Sequence, residues 1–113
     1  MLAQYLASLE LLLPYDVGLV LPSHGARFEG HRAVITGIAR HHDERCGVIS
    51  GHVTRAPRTA HELVLEMWRR KLSPFHHHFA VFEILAHLEY MSRRGQLVSQ
   101  PRPDGGLEWK PAL

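Results

Sequence analysis

Ten of the 113 residues are histidines, and their spacing decides which of them could act on a metal ion. His24 stands in Pro22-Ser23-His24-Gly25, between a residue that removes a backbone donor and one that tolerates positive φ. A neutral imidazole on so sharp a loop can offer a ring nitrogen to Zn²⁺ at about 2.0 to 2.1 Å, provided other ligands converge on it. His76-His77-His78 and His41-His42 do not make such a site, because successive side chains on a helix diverge by about 100°. No two histidines stand four residues apart, the spacing that places a pair on one helical face. Cys46 is the single cysteine, so no internal disulfide forms, and no Cys-x-x-Cys context activates it. Arg69-Arg70-Lys71 and Arg93-Arg94 are the densest cationic clusters. They are assigned to complementing helix C-termini, with phosphate contact the rarer use of such residues.

The elements that must hold these residues follow from hydrophobic periodicity. Leu2, Leu6, Leu9 and Leu13 recur at steps of three and four, which predicts a helix over 2–13 stopped by Pro14. Val17-Gly18-Leu19-Val20-Leu21 reads as a short strand buried on both faces, with the His24 loop at its end. Alone it would leave backbone groups unpaired, so it is expected to borrow neighbours from outside the chain. A long helix is predicted over 29–53, with Val34, Ile38, Val48, Ile49 and His52 inward. Its Gly30, Gly37, Gly47 and Gly51 each cost up to about 1 kcal/mol relative to Ala.

Thr59 and Glu62 form a capping box that opens a helix to about Arg69, with Ala60, Leu63, Val64 and Met67 inside. Ser73-Pro74 opens a further helix to Arg94, with Gly95 as its stop. Phe75, Phe79, Phe82, Leu85, Leu88 and Met91 are assigned to its buried side, so Phe82→Ala is expected to cost about 3 to 5 kcal/mol. Leu97 to Gln100 and Leu107 to Lys110 flank Asp104-Gly105-Gly106 and predict a β-hairpin, with Trp109 packed over the core.

Composition narrows the classes of function. A hydrophobic share of 45% against 21% charged residues belongs to a globular chain and excludes disorder. No apolar run reaches the roughly 18 residues of a membrane span, and no charged leader precedes an apolar segment, so a cytoplasmic location without membrane contact is expected. The net charge of +2 arises from 13 basic and 11 acidic residues spread along the chain, a weak footprint for nucleic acid. Glu83 and Glu89 in the middle of the 76–94 helix would also repel phosphate. Binding of nucleic acid is therefore not expected. A freestanding winged-helix DNA-binding or protein-interaction module is the rival reading.

The predicted order is helix, strand, long helix, then helix, helix and hairpin. This gives an α+β fold, mainly helical with little β, in which residues 1–27 form a terminal αβ piece and residues 28–113 a winged helix with its linking helix. Tyr5-Leu6-Ala7-Ser8-Leu9, Leu19-Val20-Leu21-Pro22-Ser23-His24-Gly25 and His31-Arg32 resemble the final segment of the metallo-β-lactamase fold. Arg58-Thr59-Ala60-His61-Glu62-Leu63 and Ala80 to Gly95, with Ala86-His87-Leu88-Glu89-Tyr90 inside, are similar to the winged-helix appendage in one branch of that superfamily. The family's loop usually reads Pro-Gly-His-Gly, so Ser23 departs from it while His24 matches.

The resemblance implies a hydrolase in which two metal ions, usually zinc, activate a water, with His24 as a ligand. It also implies substrates among thioesters, phosphodiesters and β-lactams. The family's His-x-His-x-Asp-His motif is absent here. The chain is therefore expected to be the C-terminal part of a longer enzyme, whether excised, truncated or a remnant. By itself it is expected to be non-catalytic and to retain no zinc. The expected partner is a missing N-terminal metallo-β-lactamase half or a partner subunit, with self-association as a further expectation.

Overall fold

The computed structural model describes all residues 1–113, and they divide into two compact units, Met1–Asp43 and Glu44–Leu113. Helix α1 spans Leu2–Glu10, and α2 spans His31–Arg55 and contributes to both units. The second unit adds β1 (Arg58–Thr59), α3 (Ala60–Met67), α4 (Pro74–Arg93), β2 (Leu97–Pro101) and β3 (Leu107–Pro111). The class is α+β with helices dominant, as the periodicity indicates.

In the first unit, α1 unwinds through tight turns, Leu12 N–H donating to Leu9 O and Leu13 N–H to Glu10 O, before Pro14 ends it. The carbonyls left behind are collected by the start of α2. His31, buried, donates from Nε2 to Leu12 O at 3.1 Å. Arg32 donates to Leu13 O and Tyr15 O, both at 2.8 Å. Stretches 17 to 19 residues apart in sequence are thus clamped by two adjacent side chains.

The strand expected at Val17 to Leu21 is not formed. One antiparallel bridge, Val20 to Phe28, holds this stretch through N–H···O contacts of 2.8 and 3.1 Å. Leu21 is 77% exposed and Leu19 is exposed too, rather than buried on two faces. A strand is defined by an aligned neighbour that continues the ladder, and here pairing lasts for one residue.

In the second unit each helix boundary has a local cause. Thr59 Oγ1 accepts from Glu62 N–H while Glu62 accepts from Thr59 N–H, the reciprocal box expected from their spacing. Ser73 caps α4 by accepting from His76 N–H, with Pro74 in the first turn, and Gly95 at φ +75° ends the helix. The sheet order is β1-β3-β2, antiparallel throughout, with Arg58 opposite Trp109 and Ser99 opposite Trp109 from the other side. Arg102, in the hairpin loop, donates to Glu62 Oε1 at 2.6 Å and Glu108 Oε2 at 2.7 Å, tying the hairpin to the start of α3. The Arg102 hydrogen bond, joined by that from Thr59 N–H, holds the Glu62 carboxyl down at about 2, below its ordinary 4.5. Glu108 is lowered as well, first by the Gln100 amide and then by Arg102.

The core gathers Ile49 and Val53 of α2, Leu63 and Val64 of α3, Ile84, Leu88 and Met91 of α4, and Leu97 and Trp109 of the sheet. Two expectations are corrected here. Phe75, Phe79 and Phe82 lie outside the core, Phe82 being 58% exposed, and the buried face of α4 runs through Ala80, Ile84, His87, Leu88 and Met91. Val34 and Val48 of α2 are likewise exposed. The aromatic repeat at Phe75, Phe79 and Phe82 points to a different face of α4 from the one that holds His87. Its Nδ1–H donates to Glu83 O at 2.7 Å, which lets the ring enter the apolar interior at 1% exposure.

Candidate functional site

His24 sits where the sequence places it, on the exposed loop between the bridged residues Val20 and Phe28, followed by Gly25 at φ +90°. That conformation is open to glycine and strained for other residues, so Gly25 sets the turn that presents the imidazole. No group of three or more His, Cys, Asp or Glu side chains in the chain is arranged to hold a metal ion. A protein zinc site uses four ligands, or three with a water. His24 by itself offers one imidazole toward such a set.

The other histidines are placed individually. His76 pairs with Ser73 Oγ at 2.8 Å, and His78 packs edge-on against Phe82 with ring centres 4.6 Å apart. His77 turns away from both and meets His61 of α3, Nε2 to Nδ1 at 3.0 Å. The three-histidine run therefore diverges, as helical geometry requires. His41 and His42 pack edge-on at 5.8 Å, and Tyr5 stands 6.3 Å from His42. Cys46 is half-buried against the core of the second unit. Glu83, counted above as a repulsive charge, is paired with Arg45 at 2.6 Å, and Glu89 with Arg93 at 3.0 Å. The His61–His77 contact was not anticipated, since residues 16 apart in sequence are brought together only by the packing of α3 on α4.

The sequence profile of the family described as metallo-beta-lactamase-like, C-terminal domain, matches residues 46–112. The chain belongs to this family. The matched region covers most of the second unit and leaves His24 outside it. The fold is also similar to the crystal structure of a beta-lactamase domain protein from Burkholderia ambifaria, at a TM-score of 0.93 and 36% sequence identity. That similarity covers 98% of this chain and 33% of the other, so the chain spans about a third of that protein's length. No curated protein sequence matches the chain. A metallo-beta-lactamase-like C-terminal domain accounts for the helical second unit with its small sheet. No helix is long and apolar enough to cross a membrane.

Proposed function

We propose that the chain is the C-terminal portion of a metal-dependent hydrolase of the metallo-β-lactamase superfamily. In this reading His24 gives one zinc ligand, and the second unit is a winged-helix accessory domain. The observation that carries it is the match of nearly the whole chain to one third of a beta-lactamase domain protein. The order α2, β1, α3, α4 and hairpin, with β1 joining the hairpin edge, supports the winged-helix reading.

The first unit supports an outside partner. Leu12, Leu19, Leu21 and Val34 are exposed around an apolar groove of about 400 Å³, and only Leu2, His31 and Ile35 are buried in this unit. Such a surface is large for so short a segment and suits packing against the remaining part of the fold or a partner subunit. Zinc would there supply Lewis acidity and an activated water. His24 itself binds through one ring nitrogen, and the Gly25 turn fixes where that nitrogen points.

The test is a chimera in which this chain replaces the matching third of the Burkholderia protein. Metal content and hydrolysis of thioester, phosphodiester and β-lactam substrates are measured with and without His24→Ala. The expected result is loss of bound zinc and at least a hundredfold loss of turnover in the variant. Unchanged metal content and turnover would refute the role of His24. Stoichiometric zinc and robust turnover in the 113-residue chain alone would refute the need for outside ligands.

A further inference from the structure

Where α3 leads into α4, the second unit holds a cleft of about 780 Å³. Its apolar wall is made by Val64, Leu65, Trp68, Leu72 and Pro74. Its polar lining is Arg69, Arg70 and Lys71 from the connection, His61 from α3 and His77 from α4. No carboxylate lines it, although the chain carries 11 acidic residues against 13 basic ones.

The helix-dipole explanation of this cationic run does not hold in the structure. Helix α3 ends at Met67 with no basic residue in its last turn, and the dipole's influence fades within that turn. Carboxylates elsewhere are taken by Arg45, Arg58, Arg93 and Arg102, whereas Arg69, Arg70 and Lys71 have none. An anion set among these three neighbouring cations meets positive charge with no competing carboxylate in the lining. The hydrogen bond between His61 Nδ1 and His77 Nε2 engages one nitrogen of each ring and leaves His61 Nε2 and His77 Nδ1 without a protein partner.

We infer that this cleft binds a small organic phosphate ester with an aryl or acyl body. Its phosphate is held by Arg69, Arg70 and Lys71 with the open imidazole nitrogens, and its body lies on Trp68 and Leu72. The charge of the lining selects the anion, and the apolar wall selects an ester over the bare ion. The volume falls in the range of about 300 to 1,000 Å³ common to small-ligand pockets. This site does not depend on the role of His24 or on the hydrolase reading.

Isothermal titration of the full 113-residue chain tests it with three probes: 1-naphthyl phosphate, 1-naphthol and inorganic phosphate. Saturable 1:1 binding of naphthyl phosphate, at least tenfold tighter than either other probe, is the expected result. A variant carrying Arg69→Gln, Arg70→Gln and Lys71→Gln should bind naphthyl phosphate at least tenfold more weakly. These side chains are exposed, so its melting temperature should match that of the parent chain. The inference is overturned if naphthyl phosphate fails to saturate below millimolar concentration, or if the triple variant melts normally and binds it as well. Equal affinity for inorganic phosphate overturns it too, since the apolar wall would then contribute nothing.

Discussion

Substituting Ile84 and Phe82 separately by Ala separates two descriptions of α4 that differ only in rotation. Ile84 is fully buried among the residues of the second unit's core, and its truncation removes methylenes and leaves a cavity there, a loss of about 2 to 5 kcal/mol. Phe82 hides only about two fifths of its surface, and its ring meets His78 edge-on. Scaling the roughly 1.5 to 3 kcal/mol for full burial of a large apolar side chain by that fraction gives about 1 kcal/mol. For a unit of this size each kcal/mol moves the melting temperature by roughly 4 to 8 °C. Ile84→Ala should therefore lower it by about 8 to 40 °C, and Phe82→Ala by about 4 to 8 °C. Circular dichroism melts of the two variants beside the parent chain read the difference. If Phe82→Ala costs as much as Ile84→Ala, the rotation of α4 described above is wrong.

The remaining predictions concern the devices that hold the elements together. Glu62 is held well below its ordinary 4.5, so its contribution is complete above pH about 4.5 and is lost as pH falls toward about 2. Arg102→Gln lets the Glu62 carboxyl rise, and the melting temperature should then vary less between pH 4.5 and 2; an unchanged slope would remove Arg102 as the cause. Thr59→Ala deletes one half of the capping box and should cost about 1 kcal/mol in urea unfolding. Arg32→Ala frees the carbonyls of Leu13 and Tyr15 and should speed proteolysis within residues 11–28 while leaving cleavage of the second unit unaltered. Fluorescence anisotropy with a DNA duplex at physiological salt should show only weak, nonspecific binding; nanomolar affinity for one sequence would instead favour a regulator.

Much of the second unit is legible because its signals are local. The Thr59–Glu62 box, Ser73-Pro74, Gly95 and the Asp104-Gly105-Gly106 turn each act within a few residues, and each boundary falls where they indicate. The side facing the core was less legible. An aromatic repeat at Phe75, Phe79 and Phe82 outweighed Ala80, Ile84 and His87, because the bond that makes His87 tolerable in the interior is invisible in a hydropathy pattern. The Val17 to Leu21 stretch fails for another reason: β structure is a property of pairs, and apolar residues without an aligned neighbour remain a loop. The loop position of His24 was legible from Pro22 and Gly25. The cleft between α3 and α4 was not, since it arises from two helices whose contact no local pattern encodes.

Helix α2 has a consequence for how the chain opens. It is anchored by Ile35 in the first unit and by Ile49 and Val53 in the second, and the division between units falls between Asp43 and Glu44, inside one unbroken helix. Gly37 and Gly47 bracket that point, exposed and with open space where a side chain would be. Each weakens the helix there by about 1 kcal/mol relative to Ala. Amide hydrogens around Arg40 to Glu44 should then exchange with solvent through brief local openings, much sooner than those near Ile49 and Val53. Continuous as a helix, α2 would behave in exchange as two half-helices, each as durable as the unit that grips it.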